Sequence, residues 1–171
     1  TVRDSAIGLA NSLNELGYIE QAVEIVNFIE QRWPRYYEEF PSILELMGNV
    51  HYKYGNLEKA KELYWIYYNI DPRAEDADMI LARIGDIHMQ SEPPREEAAR
   101  EIYETAIADF PEKDGGLISQ MRLAEHGVYD APSYPVMSSV FDESYSLKPE
   151  QIYKKIIKNH PKSKLAPLAQ L

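Results

Sequence analysis

Residues 42–72 read SILELMGNVHYKYGNLEKAKELYWIYYNIDP, and their reading decides the fold. The pattern predicts a helix over 42–54, a turn at Gly55-Asn56 and a second helix over 57–70. Glycine supplies the backbone freedom that a tight turn between helices needs. Asp71-Pro72 closes the unit, because proline has no N–H with which to continue the ladder. The same marks recur elsewhere. Gly17 precedes Pro34 by seventeen residues, as Gly55 precedes Pro72. Ala22 and Ala60 each stand twelve residues before their proline, and a third unit keeps the pair as Ala99 and Pro111. Self-similarity at a helix-turn-helix period marks an array of hairpins rather than one globular core.

Working outward, the first unit covers 4–34. Asp4 or Ser5 is its expected N-cap, and Ile7, Leu9, Ala10, Leu13 and Leu16 follow at mostly helical spacing. Its second helix is expected over 19–33, with Ala22, Val23, Val26 and Ile29 inward. The third unit, 76–111, has helices over 76–89 and 95–109 around the turn Ser91-Glu92-Pro93-Pro94. The fourth, 115–161, has helices over 117–127 and 149–159, with Pro149 in a first-turn position. Between them an insertion over 128–147 holds Pro132 and Pro135. It also carries Tyr129, Tyr134, Phe141 and Tyr145, too many aromatics for a disordered tether. It is expected to be an ordered excursion, with a short helical turn near 138–145. A truncated fifth unit occupies 164–171. Both ends read as a piece cut from a longer protein. The expectation is an all-α fold: one array over 1–171 of about four repeats plus a partial fifth, with about eight full helices.

The totals narrow the function. Net charge is −10 and the pI about 4.9, so phosphate would be repelled and nucleic acid is not an expected partner. An anionic membrane surface is disfavoured for the same reason, and no apolar run approaches a membrane span. The absence of cysteine excludes disulfides, zinc ribbons and thiol nucleophiles. It fits cytoplasm or periplasm and decides neither. No nucleophile elbow or phosphate loop occurs, so no catalytic residue and no cofactor is expected.

The three units in register resemble the tetratricopeptide repeat family. That signature has a large residue, Leu-Gly and an aromatic on helix A, then Ala, an aromatic and Pro on helix B. The second unit carries Leu44, Met47-Gly48, His51, Ala60, Tyr64 and Pro72. The third carries Leu81, Ile84-Gly85, His88, Ala99, Tyr103 and Pro111, and the first Ala6, Leu9-Ala10, Leu13, Ala22, Val26 and Pro34. The fourth departs from it: Leu123-Ala124 fits, but Gly127 replaces the aromatic and Pro149 the alanine. The joint over 159–166 is similar to inter-repeat joints of bacterial cell-envelope repeat proteins. The resemblance implies a right-handed superhelical solenoid, in which Ala10, Gly48 and Gly85 let helix A approach helix B. It also implies a concave groove, lined by the A helices, that takes peptides or partner helices.

Carried over by position, the groove residues are Ile7, Asn11, Asn14 and Glu15 in the first unit. They are Glu45, Asn49, Tyr52 and Lys53 in the second, Ala82, Arg83, Asp86 and Met89 in the third, and Met121 and Glu125 in the fourth. Asn11, Asn49, Asp86 and Glu125 form one polar row. Amides there either bond a peptide backbone or are solvated groove residues. The family's basic clamp for a C-terminal carboxylate is missing: Lys53 and Arg83 stand among Glu15, Glu45, Asp86 and Glu125. The expected partner is therefore a neutral or basic protein segment rather than an acidic one. A structural spacer within a longer solenoid is the alternative. His51 and His88 are expected as packing stand-ins for aromatics, too far apart to share a metal. Trp65 and Tyr68 are placed either on an exposed convex face or beneath the enlarged loop over 35–41.

Overall fold

A computed structural model describes residues 1–125, 149–159 and 161 of the chain. Among them the chain is all-helical: α1 (Val2–Leu16), α2 (Ile19–Arg32), a single 3-10 turn (Tyr36–Glu38), α3 (Ser42–Tyr54), α4 (Leu57–Ile70), α5 (Ala77–Gln90), α6 (Glu96–Asp109), α7 (Asp114–Glu125) and α8 (Pro149–Asn159). Neighbouring helices pack in pairs, α1 with α2, α3 with α4 and α5 with α6. The insertion over 128–147, His126, Gly127, His160 and the expected repeat over 164–171 lie outside the described residues.

The turns form where the glycines stand. Gly17 (φ 82°) and Gly55 (φ 94°) adopt the left-handed conformation that ends α1 and α3. The next residue of each turn closes it, Tyr18 N–H donating to Leu13 O and Asn56 N–H to His51 O, both at 2.9 Å. The turn of the third hairpin has no glycine. There Arg95 N–H donates to His88 O at 2.9 Å, and the Ser91 hydroxyl donates to the same carbonyl at 2.7 Å.

Several boundaries differ from the sequence reading: α2 ends at Arg32 rather than 33, α5 covers Ala77–Gln90 rather than 76–89, and α6 begins at Glu96 rather than 95. Two further differences have a visible cause. The N-cap of α1 is Thr1, not Asp4 or Ser5. Its hydroxyl accepts from Asp4 N–H at 3.2 Å, and Asp4 serves as the third residue of a capping box. The Thr1 hydroxyl bond holds the Asp4 carboxyl below its usual pKa. Helix α7 begins at Asp114, ahead of the apolar run that marked 117 as its start. The Asp78 carboxylate on α5 accepts Gly115 N–H at 2.8 Å, so another helix satisfies a first-turn donor of α7.

The chain divides into two compact units, Thr1–Ala74 and Glu75–Leu171. In the first, α2 packs on α3, while α1 meets α3 only at its margin. Ala10, Ala22 and Ala60 are fully buried at the hairpin interfaces, with Val26, Ile29, Val50 and Tyr64 around them. A Cβ on Gly48 would fall 2.6 Å from Tyr64 Cε1, so this glycine is the seat of the Tyr64 ring. In the second unit, Gly85 seats the Tyr103 ring in the same way. Here α7 lies directly against α5 as well as α6, and α8 rests on α7. The close approach runs through Gly115, where a Cβ would overlap the Asp78 backbone. Trp65 and Tyr68 are half-buried and meet edge to face at 5.9 Å.

Candidate functional site

A groove of about 490 Å³ opens in the first unit between α1 and α3. Ile7, Gly8, Asn11 and Asn14 line it from α1, at the three- and four-residue steps that put side chains on one helical face. Ser42, Ile43, Glu45, Leu46 and Asn49 line it from α3. The segment over 33–41 supplies the remaining wall, Tyr36 and Phe40, whose ring centroids are 5.1 Å apart. Five of the groove residues expected from sequence thus converge: Ile7, Asn11, Asn14, Glu45 and Asn49. The two aromatics were missed. Their signal was the length of the inter-hairpin segment, because a loop longer than the helices need must lie against something.

Three of the lining side chains are amides, and each is oriented by a neighbour. Asn49 Oδ1 accepts from the buried Tyr64 hydroxyl at 2.7 Å, which leaves Nδ2 as the group it can offer a ligand. Asn14 Oδ1 accepts from Lys53 Nζ at 2.8 Å, again leaving Nδ2. Asn11 Nδ2 donates to Glu15 at 3.2 Å, leaving Oδ1. The groove can therefore present two donors and an acceptor, the complement of a peptide's C=O and N–H groups. Lys53 serves to hold Asn14, and Tyr52 is half-buried beside it on α3.

In the second unit the corresponding residues are bound up with one another. Asp86 Oδ1 accepts from the Tyr103 hydroxyl at 2.5 Å and from Arg122 Nε at 3.1 Å. Arg122 Nη1 donates to Glu125 at 3.2 Å, and Glu125 in turn accepts from the Tyr153 hydroxyl at 3.1 Å. This chain of bonds joins α5, α6, α7 and α8. Burial pulls the Arg122 guanidinium down, but Asp86 and then Glu125 outweigh it, and its pKa ends above the ordinary value. Burial, then the Glu125 charge, pushes the Tyr153 hydroxyl up to about 12. Met89 packs against the Ala99, Tyr103 and Leu123 cluster, and Met121 against Leu117, Ala124 and Ile156. Arg83 is half-buried. Ala82, expected on the groove face, is 1% exposed and cannot touch a ligand, because the α5 face it occupies is covered. Arg122 was overlooked, although its three-residue spacing from Glu125 signalled a pair. Tyr153 had no local signal.

His51 is buried in α3, and neither ring nitrogen has a hydrogen-bond partner. Burial and then the Lys59 charge lower its pKa, so it is a neutral packing group. Among the described residues, no group of three or more His, Asp or Glu is placed to hold a metal. Nor is any helix there long and apolar enough to cross a membrane. A second cavity, of about 80 Å³, is lined by Tyr36, Tyr37, Ile29 and Leu63 together with the charged Glu30 and Lys59.

No protein-family model matches the chain, and no curated protein matches it either.

Proposed function

We propose that this chain is a non-enzymatic protein-interaction module of the tetratricopeptide-repeat kind. In this reading the hairpins belong to a right-handed solenoid, and the groove between α1 and α3 takes an extended segment of a partner protein. The supporting observation is the orientation of the three amides, whose remaining donors and acceptor match a peptide backbone. The volume supports it too: about 490 Å³ suits a few side chains and not a folded domain. The partner segment is neutral or basic, since Glu45 lines the groove and the whole chain carries −10.

The second unit favours the spacer alternative for its own part of the chain. Asp86 and Glu125 are engaged by Arg122, Tyr103 and Tyr153, so that end of the polar row holds helices together.

Gly8 gives a clean test, because nothing lies within 4 Å of a Cβ built on it. Gly8→Trp should block the groove while the thermal midpoint stays within a degree or two. Linear peptides selected by the full chain from a displayed random library should lose binding to this variant. Equal binding to the blocked and parent proteins would show that the groove is not the site.

A further inference from the structure

We infer that the segment taken by the α1–α3 groove is proline-rich and binds as a polyproline II helix. A proline ring seats on the shelf made by Tyr36 and Phe40, and backbone carbonyls accept from the amides of Asn14 and Asn49. This rests on the proposed peptide-binding function and specifies its ligand class.

The apolar half of the site is built by the segment over 33–41. Both of its lining rings face the groove, and Phe40 is 51% exposed. The Phe40 and Tyr36 planes are inclined at 37°. Tyr36 is fixed by a group outside the groove: the Arg3 guanidinium lies 4.1 Å from its ring centroid. One fixed ring beside one exposed ring makes a shelf for a compact, rigid apolar side chain. Aromatic-lined grooves of this kind suit proline rings.

Hydrogen bonding then selects among extended backbones. The Tyr64 hydroxyl occupies Asn49 Oδ1 and Lys53 Nζ occupies Asn14 Oδ1, so both side chains offer a ligand their Nδ2 donors. Asn11 gives its Nδ2 to Glu15 and offers Oδ1. These amides therefore serve a ligand's carbonyls better than its N–H groups. The walls on either side are helices, whose backbone groups are spent on their own ladders. A β-strand would find no sheet edge there and would leave N–H groups unmet, which is costly once water is displaced. Proline has no N–H to satisfy, while its carbonyl still accepts. Its fixed φ also holds the polyproline II form before binding, which lowers the cost of ordering the segment. The match asks for no charge on the ligand. Length agrees as well. Ser42 opens α3 and Asn49 stands about two turns further on, roughly 10 Å along the axis. One turn of polyproline II takes three residues and about 9 Å. A proline seated on Phe40, just ahead of α3, brings the carbonyl about three positions along to Asn49. The pattern that fits is Pro-x-x-Pro, whose prolines share one face of such a helix.

The experiment selects linear peptides on the full chain from two displayed libraries, one fully random and one with a fixed Pro-x-x-Pro core, with Gly8→Trp as counter-selection. Groove-dependent peptides from the random library should be rich in proline. Synthetic versions should lose tenfold or more in affinity when their prolines are replaced by alanine, and as much against Phe40→Ala. Asn49→Asp keeps an acceptor for the Tyr64 hydroxyl, as Asp86 does for Tyr103, but removes the donor. Asn14→Asp makes the same exchange while keeping an acceptor for Lys53. Each should weaken the peptides about tenfold with the melting curve unchanged. Groove-dependent peptides without proline, or an affinity that survives proline replacement or both Asp variants, would overturn this inference and leave the proposed function standing. If no selected peptide is sensitive to Gly8→Trp, both fall.

Discussion

In the first unit α1 meets α3 only at its margin, Tyr36 and Phe40 of the segment over 33–41 line the space beside them, and a groove remains. In the second, α5 and α7 touch directly, and the linker over 110–113 is short. The hairpins are otherwise built alike, each with an alanine in helix B and, at Gly48 and Gly85, a glycine seating a tyrosine ring. The difference comes from what stands where the A helices would meet. Gly115 has no side chain to keep α7 away, and Asp78 reaches across to its N–H. The first unit has a loop with two large rings at the corresponding junction. One pattern of hairpin thus yields an open groove or a closed joint according to the junction alone.

The largest test of this contrast is Gly115→Ala. Its methyl group would overlap the Asp78 backbone, which cannot swing aside as a side chain can. Overpacking of this kind costs about 3 kcal/mol, so a chemical-denaturation midpoint should fall sharply. An unchanged midpoint would show that α7 does not need its close approach to α5.

Next in size are Asp86→Ala and Asn49→Ala, equivalent positions in the two units. Each removes an acceptor for a buried tyrosine hydroxyl. Asp86 also binds the Arg122 cation, so its loss should cost about 2 kcal/mol against about 1 kcal/mol for Asn49. The position in the polar row suggests from sequence that neither change would matter for melting; the tyrosine bonds reverse that expectation. Equal stability changes in the two variants would argue against a special role for the Arg122 link.

Gly8→Ala should act in the opposite sense. Its helix is exposed and uncrowded there, so alanine should stabilise by up to about 1 kcal/mol. A loss of stability instead would mean that α1 and α3 are closer than the groove requires.

The smallest effect is a slope with pH. His51 has a folded pKa below the ordinary 6.5, chiefly because burial disfavours its charged form. Above 6.5 both states hold it neutral and it adds no pH dependence. As pH falls below 6.5 the unfolded chain gains a proton that the folded chain resists, and stability declines until the folded pKa is reached. His51→Phe should flatten that part of the stability profile. A parent profile that is flat between pH 7 and 5, or a slope retained by the variant, would remove His51 as its source.

The helices themselves were legible in residues taken a few at a time. Gly17, Gly55, Pro34 and Pro72 punctuate the chain through backbone conformation and a missing N–H, and these are local properties. The bounds of α3 and α4 agree with their periodicity to the residue. Asn11, Asn14, Glu45 and Asn49 could be placed on one surface because helical spacing fixes which residues share a face.

Tertiary structure decided how that surface is used. Whether Asn49 offers its donor or its acceptor depends on the Tyr64 hydroxyl, fifteen residues away in sequence. Whether Asp86 is available depends on Arg122 and Tyr103. The opening between α1 and α3 depends on Tyr36 and Phe40, whose loop has no period to read. The sequence by itself determined the hairpins, because turns and periodicity act over a few neighbouring bonds. The open groove and the bound-up joint were decided only by packing, where side chains distant in sequence compete for the same space and the same hydrogen bonds.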